Sequence, residues 1–104
     1  MDRVIYKHRL KSGRNEEDFR AWLRMYWNVQ RSWGAETVRV WRDAVTGENI
    51  LFCEYRVADV RIWTKAAMRA SSEAIIRDLE AITEIKNVMF TREKNPEAML
   101  QGVN

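Results

Sequence analysis

Histidine, cysteine and proline each occur once in this sequence, and glycine four times. Each scarcity removes a class of explanation. A lone cysteine, Cys53, cannot close an internal disulfide, which fits a reducing compartment. A lone histidine, His8, with no second histidine or matching cysteine is a poor transition-metal ligand set, so no metal is expected. So few glycines leave little material for phosphate-cradling loops, and the chain contains no P-loop, Rossmann glycine fingerprint, HExxH, CxxC or GxSxG. No apolar run approaches the roughly 18 residues of a membrane span, and the opening MDRVIYKHRL lacks the apolar run of a signal peptide. The expectation is a cytoplasmic protein with no membrane partner. Charge of one sign is also missing: 18 basic and 15 acidic side chains leave a net +3, scattered along the chain. That favours a solvated mixed-charge surface over a polyanion-binding face.

What is present is an aromatic helix. The stretch 15–34, NEEDFRAWLRMYWNVQRSWG, places Phe19, Trp22, Leu23, Tyr26, Val29 and Trp33 at steps of three and four, one stripe of an α-helix. Arg20, Arg24, Asn28 and Arg31 take the other side. Asn15 is a suitable cap, Glu16, Glu17 and Asp18 suit the positive first turn, and Gly34 suits the left-handed position past the end. A helix of roughly 18 residues spans about 27 Å. Its stripe needs a broad apolar partner, and a β-sheet can supply one.

The remaining elements read in order. Residues 3–11 alternate as a strand, with Val4, Tyr6, His8 and Leu10 on one face and Ile5, Lys7 and Arg9 on the other. Residues 37–43 form a second strand, Val38 and Val40 opposed to Arg39 and Trp41. A hairpin containing Thr46-Gly47 leads to a third over residues 50–57. There Leu51, Cys53, Tyr55 and Val57 share a face, and Ile50, Phe52, Glu54 and Arg56 share the other. Asp59 caps a helix over residues 60–70 that presents Val60, Trp63 and Ala67. Ser71 and Ser72 break and recap the chain, and residues 73–83 carry the stripe Ile75, Ile76, Leu79 and Ile82. Residues 85–92 form a fourth strand, with Val88 and Phe90 opposed to Ile85 and Met89. Asn95-Pro96 ends regular structure, and residues 96–101 suit a helical turn or a docking tail.

At 104 residues the chain reads as a single domain, 1–104, with 93–104 a C-terminal extension. The order β-α-β-β-α-β is the ferredoxin-like pattern, an α+β fold with an antiparallel four-stranded sheet and helices on one face. The other face shows Ile5, Trp41, Ile50 and Phe52 among charges, an apolar patch large for a monomer. A second copy of the sheet can cover it, so a homodimer is expected.

Three segments carry a resemblance: RLKSG followed by NEEDFRAW, the hairpin TVRVWRDAVTGENILFCEY, and the broken helix DVRIWTKAAMRASSEAIIRDL. Over about residues 4–92 the chain resembles the dimeric α+β barrel superfamily, particularly its antibiotic-biosynthesis-monooxygenase-like branch. The resemblance implies two sheets meeting face to face in a barrel with helices outside. The superfamily holds heme-degrading enzymes, quinone-forming oxygenases, decarboxylating and isomerising enzymes, and proteins of no known reaction, so the fold does not choose the chemistry. Heme-degrading members and some cofactor-free oxygenases place a polar side chain, often asparagine, near the end of the first strand and a tryptophan in the helix after the third. His8 and Trp63 hold similar places here. Heme-binding members also need an axial histidine in the broken helical region, where this chain has Ala70, Ser71, Ser72 and Glu73. No cofactor is therefore expected.

The resemblance implies a cofactor-independent, monooxygenase-like protein acting on a small phenolic or quinol molecule. His8 would accept a proton, and Tyr6, Trp22, Tyr26, Tyr55 and Trp63 would line a pocket between sheet and helices. Each residue also has a plainer account: His8 as a hydrogen-bonded strand residue, the aromatics as core, and Cys53 as a structural thiol. Lys7, Arg9, Arg39, Glu54 and Arg56 serve as salt bridges or as an anion-binding interior. The alternative function is a non-catalytic ligand-binding or assembly homodimer. Nucleic acid is not expected as a partner: RNA-recognition domains share the strand order, but NILFCEYRV lacks their glycine and carries Glu54 mid-strand.

Overall fold

In the computed structural model, residues 1–46 and 48–92 are described. The elements run β1 (Asp2–Leu10), α1 (Glu16–Ser32), β2 (Ala35–Arg42), β3 (Ile50–Val57), α2 (Val60–Arg69), a 3-10 turn (Ala70–Ser72), α3 (Ala74–Glu80) and β4 (Thr83–Arg92). The strands form one antiparallel sheet in the order β2-β3-β1-β4. This is the ferredoxin-like arrangement expected from the sequence. The expected helical turn or tail at 96–101 lies outside the described residues.

Local chemistry fixes the ends of α1. The Asn15 side chain accepts from the Asp18 N–H at 3.0 Å, and the Asp18 carboxylate accepts from the Asn15 N–H at 3.0 Å, a capping box. Gly34, just past the helix, has φ +102°, which a side chain would disfavour. One core joins α1, α2 and α3 to a single sheet face, with Phe19, Trp22, Leu23, Trp63, Ile75 and Leu79 packed on Val4, Leu10, Leu51, Cys53, Tyr55 and Val57. Burying each large apolar side chain contributes about 1.5–3 kcal/mol. The Trp22 indole N–H donates to the Ile75 carbonyl at 2.8 Å, tying α1 to the start of α3. Asp2 joins three elements, accepting from the Val60 N–H at 2.9 Å and from Arg92 Nε at 2.9 Å. The bond from Arg92, helped by that from Val60, holds its carboxyl below the usual range.

Four details depart from the sequence expectations. Val29 is exposed, and Gln30 takes the inward place on the α1 stripe. The break at Ala70–Ser72 is present, but Glu73 rather than a serine precedes α3, and no side chain caps it. Strand β4 begins at Thr83, two residues earlier than the sequence pattern predicts. Finally, Ile85 lies on the same sheet face as Val88 and Phe90. Lys7 faces Asn87 whereas His8 faces Ile85, so Lys86 is an extra residue in the ladder. Such a bulge reverses the alternation on one side of it. Thr83 and Ile85 therefore share the face of Leu10 and His8.

Candidate functional site

A cavity of about 340 Å³ lies between this sheet face and the helices. That is at the small end of the range for ligand pockets. Strands β1, β3 and β4 contribute Tyr6, His8, Tyr55, Ile85, Val88 and Phe90; α1 contributes Trp22 and Gln30, and its C-cap residue Trp33; α2 contributes Trp63. Met68, Ser71, Ile85 and Phe90 are exposed and form its rim.

The walls are locked aromatic contacts. Trp63 sits 4.7 Å from Tyr55 and 5.3 Å from Trp33, centroid to centroid, the latter pair nearly perpendicular at 77°. Its indole N–H donates to the Tyr6 hydroxyl at 2.8 Å. Tyr6 stands between His8, at 5.9 Å, and Tyr55, at 5.8 Å. This order follows from register: Val4 pairs with Tyr55, Tyr6 with Cys53 and His8 with Leu51, so the side chains fall in successive layers along the strands. Phe19 closes on His8 from α1 at 4.9 Å.

The site is polar in places and uncharged at neutral pH. Burial pushes the His8 imidazole down to about 4, so it is neutral and holds a lone pair. Its Nδ1 lies 3.1 Å from the Thr83 hydroxyl. With Nδ1–H donating there, the lone pair is on Nε2. Burial raises Tyr6 to about 12, against the opposing hydrogen bond from Trp63, and raises Tyr55 well above the usual range. Cys53 is fully buried, and burial pushes its thiol up to about 12, which makes it an unreactive packing group. Gln30 Nε2 donates to the Tyr55 hydroxyl at 2.8 Å.

Of the side chains singled out in the sequence, His8, Tyr6, Trp22, Tyr55 and Trp63 meet around this cavity. Tyr26 does not. It packs beside Trp22 at 6.1 Å, but its hydroxyl donates to Asp78 on α3, turning it away from the cavity. Sequence reasoning missed Gln30, Thr83 and Ile85. The bulge hides the last two from any alternation pattern. Gln30 was visible in principle, because it stands four residues after Tyr26 and three before Trp33, a polar side chain at stripe spacing.

The candidate charged residues lie on the opposite sheet face. Glu54 is nearly buried there, 3.3 Å from Arg39 and 3.7 Å from Arg3. Arg39 also lies over Trp41, 4.7 Å from the ring centroid, and Trp41 stacks on Phe52 at 5.5 Å. Arg9 pairs with Glu48 at 3.5 Å. Among the described residues no cluster of three His, Cys, Asp or Glu side chains could hold a metal ion, and no helix is long and apolar enough to cross a membrane.

No family model and no curated protein matches this chain. Solved structures do. SnoaB, a cofactor-independent oxygenase from Streptomyces nogalater, superposes with a TM-score of 0.63 at 13% identity, covering 92% of this chain and 99% of that one. A candidate antibiotic biosynthesis monooxygenase from Chloroflexus aurantiacus gives 0.61 at 14% identity, covering 90% and 93%. A dimeric ferredoxin-like protein from an uncultured marine organism gives 0.57 at 9% identity, covering 90% and 98%. At such identities the likeness shows the fold alone, the ferredoxin-like arrangement described above.

Proposed function

We propose that this protein is a homodimer whose subunits each bind a small phenolic or quinol molecule in the cavity beside His8 and oxidise it with dioxygen, without a cofactor. The observation that carries this reading is a neutral imidazole on the lining of an aromatic-walled, uncharged cavity. The aromatic walls of Trp22, Trp63 and Tyr6 suit a flat ring, which on binding would displace water from between them. The fold is also that of SnoaB, a cofactor-independent oxygenase.

In this scheme His8 Nε2 takes the hydroxyl proton of the bound phenol. A phenolate and an imidazolium formed together attract each other strongly in a low-dielectric site, offsetting the burial that makes the free imidazole a weak base. The electron-rich anion gives one electron to dioxygen. The two radicals then join through a new C–O bond at a ring carbon. Cleavage of the O–O bond expels water, which carries away the hydroxyl hydrogen and the hydrogen from that carbon, and leaves a quinone carbonyl. One oxygen atom enters the product and the other leaves as water. The chain supplies orientation, water exclusion and the base.

An oxygen electrode tests this with a naphthalenediol carrying hydroxyls at opposite ends of the ring system. Wild type should accelerate dioxygen uptake and His8→Ala should return it to background. Unchanged uptake in His8→Ala removes His8 from the reaction. Binding without accelerated uptake supports the second reading, a non-catalytic ligand-binding dimer. That reading is favoured by the burial that makes the free His8 imidazole a weak base.

The dimer rests on the sheet face away from the helices. There Trp41, Phe52 and Ile5 are half-buried within one subunit, and Met89 is 52% exposed. A second sheet laid on this face would cover an apolar patch that is costly to leave in water. The fold is shared with a dimeric ferredoxin-like protein. Sedimentation at micromolar concentration should give a dimer, and a stable monomer would reject the assembly.

A further inference from the structure

Three side chains hold the His8 ring, and they do different things. Phe19 lies 4.9 Å from the imidazole and Tyr6 5.9 Å, centroid to centroid. Ring packing of this kind distinguishes poorly between a ring nitrogen and a ring carbon. The Thr83 hydroxyl does distinguish them. It lies 3.1 Å from Nδ1, and both residues are 2% exposed. A half-turn of the imidazole about its Cβ–Cγ bond would put a carbon opposite that hydroxyl and cost a buried hydrogen bond.

The other ring nitrogen is open. Nε2 has no hydrogen-bond partner among the described residues, and it is not one of the polar atoms sealed from water without a partner. His8 lies on the cavity lining and is otherwise buried, so the space that reaches Nε2 is the cavity. Thr83 owes its place beside Nδ1 to the bulge. It pairs with Leu10 while Ile85 pairs with His8, which makes it the diagonal neighbour of His8 on one sheet face. Alternation carried on from Val88 without the extra Lys86 would turn Thr83 to the opposite face. Bulges recur beside functional sites, where they re-aim a side chain.

We propose that Thr83 is the positioning residue of this site: its hydroxyl accepts the Nδ1 proton of His8 and so keeps the Nε2 lone pair turned to the cavity. The inference rests on the reading of His8 as the base and deepens it. The competing tautomer carries its proton on Nε2 and cannot take another there from a bound phenol. The same bond gives Nδ1–H an acceptor when the ring becomes an imidazolium, which favours the charged form. Thr83 is not on the cavity lining, so it acts through His8 and not on the ligand.

Because the chain has one histidine, nitrogen NMR of the full chain carrying isotope-labelled histidine reads the tautomer directly. The measurement is made at neutral pH, where His8 is uncharged. Wild type should carry the proton on Nδ1. Thr83→Val, which keeps the branched shape without the hydroxyl, should shift the ratio of the two tautomers toward Nε2–H by about fivefold, and Thr83→Ser should restore it. In the oxygen electrode with the naphthalenediol, kcat should fall about fivefold in Thr83→Val with KM little changed, and Thr83→Ser should recover it. A wild-type proton on Nε2, or a ratio unmoved by Thr83→Val, overturns the assignment of Thr83. So does an unchanged kcat in Thr83→Val where wild type is active. The expected tautomers with no uptake in wild type overturn the oxygenase reading and leave Thr83 as the residue that orients His8. If Thr83→Val loses its folded near-ultraviolet spectrum, Thr83→Ala carries the same comparison.

Discussion

Along β1 and β3, Val4, His8, Leu51, Cys53 and Tyr55 point under the helices and are buried; alternating with them, Ile5, Lys7 and Phe52 are only half-covered. The first face is completed within one chain by the aromatic stripe of α1 and by α2 and α3. Its cavity and its neutral histidine are thus properties of a single subunit. Among the described residues, no helix lies over the second face. Ile50 is buried on that face within one chain, whereas Ile5, Trp41 and Phe52 are only half-covered, Trp41 stacking on Phe52 beneath Arg39. Substitutions on the first face should therefore read out as folding stability, and substitutions on the second as association.

The largest effect is expected from Trp63→Ala. Trp63 is 1% exposed, touches Tyr55 and Trp33 and bonds Tyr6. Its removal should cost about 3–5 kcal/mol in urea denaturation. A loss under about 1 kcal/mol would mean that α2 is not packed on the sheet as described.

Next is pH. His8 has a folded value of about 4 against an ordinary 6.5, so the unfolded chain binds the proton more readily. The stability associated with neutral His8 is complete above about pH 6.5, falls as pH drops toward 4, and changes little below that. The difference is about 3 kcal/mol. Its ring neighbours Tyr6 and Phe19 and its partner Thr83 carry no charge in that window. His8→Gln should flatten that part of the stability profile, and an unchanged slope would place the titration elsewhere.

On the second face, Met89→Asp should leave the subunit folded and weaken the proposed dimer at least tenfold, measured by sedimentation across a dilution series. A fall in melting temperature with no change in association would erase the contrast between the faces. The smallest effect is expected from Arg39→Ala. Its exposed ion pair with Glu54 and its stacking on Trp41 should contribute under about 1 kcal/mol to subunit stability.

Much of this arrangement was legible from pattern. The α1 stripe, its Asn15 cap, the facing of β1 and β3 and the break after α2 all follow from spacing and capping chemistry. These are local forces, set by side chains a turn or a pleat apart. The errors have a common source. Val29 and Gln30 compete for adjacent positions on the stripe, and hydropathy favours Val29. The tertiary structure brings Tyr55 within reach of the glutamine amide and turns the valine outward. Tyr26 was expected in the cavity wall, but Asp78 on α3 captures its hydroxyl.

The sequence by itself determined which segments are helix and strand, and which strand residues share a face wherever alternation is unbroken, because those choices depend on neighbours close along the chain. The tertiary structure decided the rest. The bulge at Lys86 turned Thr83 and Ile85 onto the face of His8, and packing tied the Gln30 amide to the Tyr55 hydroxyl. Both outcomes depend on pairing between elements distant in sequence, and the free energy that selects such a register is shared among many contacts rather than written at any one residue.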